Sequence, residues 1–249
     1  MCIQLNERHH AWIVSDFYAE LMKHYGDMGI QVFRKASQTY GEERGRRMAY
    51  RALRDKKDLS FETYFAYGEY LSTSDFFEVE MKSKEGVVEE RVTRCPWAEI
   101  FHKKNLKECG VVYCREIDRA IVRGFNPNLQ MDTISTQHES HCCQFYFRDS
   151  SLHSNTLDRA DAYGVENEKR LVEDMNYHCA HVFKVLDQII SSVFGLDAEH
   201  IKIAVEESFV DEYGVDSFKE IKKRLGIDFT VLDRSLKLEE DKNAEDNGI

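Results

Sequence analysis

From residue 9 the chain reads HHAWIVSDFYAELMKHYG, and Ile13, Phe17, Leu21 and Tyr25 recur every four residues. That spacing lines one face of an α-helix. A second amphipathic stretch carrying Val32, Phe33, Ala36 and Tyr40 follows and runs through YGEERGRRMAYRA. Residues 178–195, HCAHVFKVLDQIISSVFG, repeat the first pattern, with His, Ala and the closing aromatic-Gly pair at the same places 169 positions later. Another amphipathic helix again follows. It ends at Tyr213-Gly214, four residues later than Tyr40-Gly41 predicts, which is about one helical turn. We therefore read a helical hairpin at each end of the chain, one a repeat of the other.

The middle has a different period. FETYFAYGEYL and FFEVEM alternate in the manner of strands. KEG at 84–86 reads as a turn, and VVEERVTR returns as the partner strand. CPWAEIFHKKN begins a short helix with Pro96 in its first turn. GVVYCREIDRAIVRGF predicts a longer helix over 110–124, ended by Gly124, and LQMDTISTQ with CCQFYFRD predicts a second hairpin. The expected class is α+β: an antiparallel sheet of about four strands packed by helices on one face, flanked by N- and C-terminal helical hairpins. Residues 1–150 form the core with its N-terminal hairpin, and 151–238 a C-terminal helical extension. The acidic tail 239–249, EEDKNAEDNGI, is too polar to bury anything and is expected to be disordered.

Composition narrows the function classes. The 249 residues are 42% hydrophobic, which suits one large domain or two small ones. The net charge of −11, from 34 basic and 45 acidic side chains, argues against a nucleic-acid partner, whose phosphates require a basic surface. It argues equally against an anionic membrane. No apolar run approaches the ~20 residues of a membrane span, and MCIQLNERHHAW lacks an export signal's basic-then-apolar pattern. A cytoplasmic protein with seven reduced cysteines is expected. Their spacing matches no paired Cys-x-x-Cys zinc framework.

On the helix over 110–124 the inner stripe should be Val111, Cys114, Asp118, Ile121 and Val122, with Phe125 beyond. Asp118 is then the one carboxylate on an apolar stripe, one turn from Cys114. A buried carboxylate needs a partner: either a structural ion pair, for which Arg94 is a candidate, or work as a general base or substrate anchor beside a thiol. In a strand through 141–147, His141, Cys143, Phe145 and Phe147 share one face, and Cys142, Gln144 and Tyr146 the other. Cys143 is either a small buried hydrophobe or a thiol activated by a nearby histidine, His141. Cys95 sits at the strand-to-helix joint of VTRCPWAEI, where the positive end of the helix dipole favours thiolate; capping or packing is the competing role. His178 and His181, at i and i+3, read as packing groups or as metal ligands.

In combination, VTRCPWAEIF, then Cys114 and Asp118 on one helix, then RGFNPNLQMDTIST and HCCQF, resemble the L-2-amino-thiazoline-4-carboxylic acid hydrolase family. YGEERGRRMA at 40–49 is similar to the helix preceding that core, and YHCAHVF looks like the C-terminal helical extension of longer members. The resemblance covers about residues 10–150. It departs from the family pattern near Gly-x-x-His-Cys-x-Phe: matching Cys143-Gln144-Phe145 to its last three positions puts Cys142 at the histidine and Glu139 at the glycine. His141 is then displaced by one residue. The resemblance implies hydrolytic opening of a cyclic isothiourea. Cys95 or Cys143 would serve as nucleophile or close contact, His141 would accompany them, and Asp118 would be base or amidinium partner. Arg94 would anchor the substrate carboxylate, with Cys114, Asn126 and Cys142 among the substrate contacts.

The expected function is thus a cytoplasmic hydrolase that acts on a small thiazoline or cyclic amidine acid, gives a carbamoyl-cysteine-type product and requires no cofactor. The competing expectation is a non-catalytic small-molecule or metal sensor, similar to 4-vinyl-reductase-like domains, in which the cysteines and His141 hold zinc or iron. The helical hairpins also offer a surface for a homodimer.

Overall fold

The computed structural model describes residues 3–70, 77–166 and 172–232. Helix α1 spans Glu7–Arg54 and is broken at Gly26, whose φ of 52° with ψ of −131° is a combination that favours glycine. Asn6 starts it: its side-chain oxygen accepts from the Arg8 N–H at 3.1 Å, and the His9 Nδ1 accepts from the Asn6 N–H at 3.1 Å. There follow α2 (Phe61–Ala66), β1 (Glu78–Lys84), β2 (Val87–Arg94), α3 (Pro96–Lys103), α4 (Lys107–Phe125), β3 (Gln130–Ser135), β4 (Cys143–Arg148), α5 (Thr156–Glu166), α6 (Met175–Phe194), α7 (Glu199–Tyr213) and α8 (Val215–Lys222).

The sheet is antiparallel throughout, in the order β1-β2-β4-β3, and the class is α+β. One stretch differs from the sequence expectation: FETYFA is helix α2, not strand. The Ser60 hydroxyl caps it by accepting from the Thr63 N–H at 3.4 Å, and Asp58 accepts from both hydroxyls, at 2.7 Å from Ser60 and 2.9 Å from Thr63. Phe61 and Tyr64, three residues apart, then fall on one helical face and pack against Phe147 at ring separations of 4.9 and 5.9 Å. The helix read over 110–124 begins three residues earlier, at Lys107. The tail at 239–249 lies outside the described residues.

Two apolar clusters meet at α4. The helical one joins Phe17, Phe33, Tyr113, Ile117, Phe183 and Phe209, so α1, α4, α6 and α7 share a core. The other lies on the inner face of the sheet and includes Val88, Val92, Val122, Met131, Phe145 and Phe147. α1 and α4 cross so closely that a Cβ at Gly45 would overlap the Ile121 carbonyl, and one at Gly124 would overlap the Glu42 carbonyl. This crossing brings the Arg44 turn of α1 beside the Asp118 turn of α4.

The resemblance between the chain's two ends has a geometric counterpart. Gly195, like Gly26, has positive φ (66°), and the preceding aromatics Tyr25 and Phe194 stack on each other at 3.8 Å and 10°. Trp12 meets Tyr213 edge-on at 5.5 Å, and the equivalent pair, His181 with Tyr40, meets at 4.7 Å. These are the contacts that a two-fold arrangement of the hairpins requires. Met175–Tyr213 contains a window of mean hydropathy 1.3, long and apolar enough for a span by length and composition alone. This corrects the expectation that no apolar run approaches the length of a membrane span. The stretch is interrupted at Gly195, and α6 buries Val182, Phe183 and Leu186 in the shared core.

Candidate active site

A cavity of about 300 Å³ lies between the sheet's inner face, α4 and the second half of α1. Cys95, Cys114, Asp118 and Cys143 all border it. Each arrives from a different local cause. Cys95 is the residue before Pro96, at the N-terminus of α3, Cys114 and Asp118 are one turn apart on α4, and Cys143 opens β4 with its side chain inward, like those of Phe145 and Phe147.

Asp118 shares the cavity with a second carboxylate, Glu90. On β2, Val88, Glu90 and Val92 alternate onto the inner face, and Glu90 pairs with Phe145 across the sheet. Burial pushes the Asp118 carboxyl up to about 6, partly opposed by the positive charge of Arg44. Burial, and then the charge of Asp118, push Glu90 up to about 7. Two carboxyls bordering one cavity do not both ionise readily, so near neutral pH the pair is partly protonated.

The cation facing the cavity is Arg44. Its Nε is buried without a hydrogen-bond partner among the described residues, 3.7 Å from the Glu69 carboxylate, too far for a hydrogen bond. Glu69 is occupied elsewhere: Arg47 donates to it from two nitrogens at 2.7 and 2.9 Å, and Arg51 from one at 3.2 Å. Burial alone would raise the Glu69 carboxyl, but Arg47, His178 and Arg51 hold it down at about 2. The C-terminal helices brace this network. His178 Nε2 lies 3.3 Å from the Glu69 carbonyl oxygen, and Arg47 donates to the Phe229 carbonyl at 2.7 Å. His178 and His181 are therefore parts of a buried polar scaffold. Among the described residues, no three His, Cys, Asp or Glu side chains cluster to hold a metal ion.

All six described cysteines are free. The dipole argument for a thiolate at Cys95 is overturned by its surroundings. Burial raises that thiol to about 11, against the pull of the Ala98 and Trp97 amides, and Asp118 and Glu7 add to the rise. Burial likewise pushes Cys143 to about 12, although the Gln137 N–H donates to its sulfur at 3.3 Å. Cys114 is also raised well above the usual thiol range by burial, and its sulfur lies 3.6 Å from His138 Nε2.

The sequence profile that matches the chain, over residues 6–147, describes the L-2-amino-thiazoline-4-carboxylic acid hydrolases. The chain belongs to that family. Searches of curated proteins and of solved structures return no match. The matched span takes in α1 to β4 and every cavity residue named so far. Within this hydrolase core, four residues that the resemblance nominated lie outside the cavity lining. Arg94 is exposed and donates to Glu78 across the β1–β2 pair at 2.9 Å. His141 is exposed because β4 begins only at Cys143, so the alternation that aligned it with Cys143 does not reach it. Cys142 packs near the Arg91 guanidinium at 3.7 Å. Asn126 ends α4, donating to the Leu59 carbonyl at 2.8 Å and accepting from the Asn128 N–H at 2.9 Å. The cavity instead presents Arg44 and Glu90, and His138 touches Cys114 from outside the lining; none of the three was nominated from the sequence. The alternation of VVEER with Val88 and Val92 was a signal for Glu90. For Arg44 and His138, local sequence offered none.

Proposed function

We propose that this chain opens the ring of a 2-aminothiazoline-4-carboxylate-type acid to a carbamoyl-cysteine-type product. The reading is carried by one observation: a single cavity is bordered by two carboxylates, Asp118 and Glu90, and by the Arg44 side chain. The substrate is a cyclic amidinium bearing a carboxylate. The ionised member of the Asp118/Glu90 pair receives the amidinium N–H groups. Arg44 receives the carboxylate. A nucleophile adds to the amidine carbon, and the ring C–S bond breaks with its electron pair on sulfur. That sulfur takes a proton from the protonated carboxyl. Net addition of one water leaves a urea and a free thiol. A cytoplasmic, reducing setting suits a cavity bordered by three thiols.

The test is incubation with L-2-aminothiazoline-4-carboxylate, following free thiol with a disulfide reagent and the product by mass spectrometry. One new thiol and one added water per substrate are expected. A folded protein that yields neither, across a panel of thiazoline and cyclic amidine acids, would overturn the proposal.

A further inference from the structure

We propose that Cys114 is the nucleophile that attacks the amidine carbon, that His138 is its general base, and that His102 positions His138. The substrate class in this assignment rests on the function proposed above; the assignment of the residues rests on geometry alone.

Three side chains form a chain of contacts leading out of the cavity. Cys114 Sγ borders the cavity and lies 3.6 Å from His138 Nε2. His138 Nδ1 lies 3.2 Å from His102 Nε2, and His102 is exposed at the end of α3. The order dictates the tautomers. For Nε2 of His138 to accept the thiol proton, its Nδ1 must carry hydrogen and donate it to His102 Nε2; the N–H of His102 then faces water. This is the nucleophile–base–orienting-group arrangement of thiol and hydroxyl enzymes, with an imidazole as the third member.

The local packing is shaped for the His138 ring. It lies against Phe101 at 5.7 Å and meets His102 edge-on at 5.1 Å, 82°. It also occupies the space in front of Gly110, one turn before Cys114, where any Cβ would overlap it. The charged groups around it are Glu139, Lys107 and His102. Burial, with His102 and Lys107, outweighs Glu139 and holds the imidazole down at about 4. It is thus a neutral imidazole at pH 7, beside a neutral thiol, and the proton passes between them only as the Sγ–carbon bond forms. Among the described residues, the Cys143 sulfur accepts from the Gln137 N–H, and at Cys95 the Trp97 and Ala98 amides only ease the thiol's rise, with no capping hydrogen bond to its sulfur. Such donors steady a thiolate but take no proton.

The steps balance. The Sγ–carbon bond forms as the thiol proton moves to His138 Nε2. The ring C–S bond breaks, and the departing sulfur is protonated by the Asp118/Glu90 pair, leaving an isothiouronium joined through the Cys114 sulfur. Water adds to the same carbon, giving a proton to the carboxylate that had lost one. The Cys114–carbon bond then breaks, Sγ recovers its proton from His138, and the urea product releases the amidinium proton to solvent.

The experiment is alkylation by chloroacetamidine, an amidine-bearing electrophile, with peptide mass spectrometry reading Cys95, Cys114 and Cys143 in the same sample. Cys114 is expected to react roughly tenfold or more faster than the other two. His138→Asn should remove that advantage, His102→Leu should lower it, and His102→Gln, which still accepts from Nδ1–H, should restore most of it. Equal labelling of the three thiols, or labelling indifferent to His138→Asn in a variant with native circular dichroism, overturns the assignment. Turnover separates the two proposals. A Cys114→Ala protein within about threefold of wild-type kcat removes the nucleophile but leaves the hydrolase. His138-dependent labelling in a wild type that opens no thiazoline removes the hydrolase but leaves the reactive thiol.

Discussion

Replacing Glu90 with Gln is expected to stabilise the protein at pH 8 while suppressing its activity. Burial and Asp118 move the Glu90 carboxyl from 4.5 to about 7. A carboxyl whose folded value lies above its unfolded one favours the fold when protonated. That contribution is complete below about pH 4.5 and is lost as pH rises through 7. At pH 8, holding Glu90 ionised in the cavity costs on the order of 3 kcal/mol, from the size of the shift at 1.36 kcal/mol per unit. Glutamine keeps the shape and removes the titration. The variant's unfolding free energy should therefore match wild type near pH 4 and exceed it by roughly 3 kcal/mol at pH 8. Urea unfolding between pH 4 and 8, followed by tryptophan fluorescence with Trp97 at the cavity wall, reads this as a midpoint higher by about 1 M or more at the alkaline end. A variant less stable at pH 8, or a difference that ignores pH, would mean that Glu90 is ionised and well paired in the fold. The proton-sharing pair would then be refuted, and the acid for the departing sulfur with it. Stability gained at the expense of activity is what a strained functional site produces.

Other outcomes follow from the same geometry. If the reaction needs one carboxyl protonated and the other ionised, kcat/KM should trace a bell with its limbs set by the pair, near 6 and 7; a flat profile from pH 5 to 8 would contradict this. Arg44→Ala should lower kcat/KM for the carboxylate-bearing substrate by roughly 10²-fold or more, and lower the rate with 2-amino-2-thiazoline, which lacks the carboxylate, far less, through the change at Asp118 alone; equal losses on both would remove Arg44 as the anchor. Gly110→Ala raises helix propensity by about 1 kcal/mol but displaces the His138 ring. The melting temperature should hold or rise while chloroacetamidine labelling of Cys114 falls. Gly45→Ala drives a methyl into the Ile121 carbonyl and should destabilise the α1–α4 crossing by about 1–3 kcal/mol; a variant that melts with wild type would show the crossing to be compliant.

Much of the fold was legible because it is written in periods. The four-residue recurrence in α1 and α6, the alternation of Cys143, Phe145 and Phe147, and the glycine at the Lys84–Val87 turn all act over a few neighbouring residues, within reach of a window along the chain. FETYFA misled because aromatic alternation and an i, i+3 aromatic pair look alike over six residues. The Asp58, Ser60 and Thr63 hydrogen bonds decided for helix.

The site was legible only in part, for the same reason. Cys95, Cys114, Asp118 and Cys143 stand at element boundaries or on a marked stripe, and they do meet in the cavity. Arg94 and His141 stand beside them in sequence yet face solvent, since the β1–β2 register shifts between Val92 and Arg94 and the β4 strand begins only at Cys143. The sequence by itself determined most of the elements and the family, though it read FETYFA as strand and left Tyr113 and Ile117 out of the α4 inner stripe. Only the tertiary structure decided which charges meet: the close α1–α4 crossing at Gly45 and Gly124 sets Arg44 beside Asp118, the β2–β4 register turns Glu90 inward, and the gap at Gly110 admits His138 to Cys114. Those are contacts between segments far apart in the chain, and their pKa values are set mainly by burial, a property no residue has until the chain has folded around it.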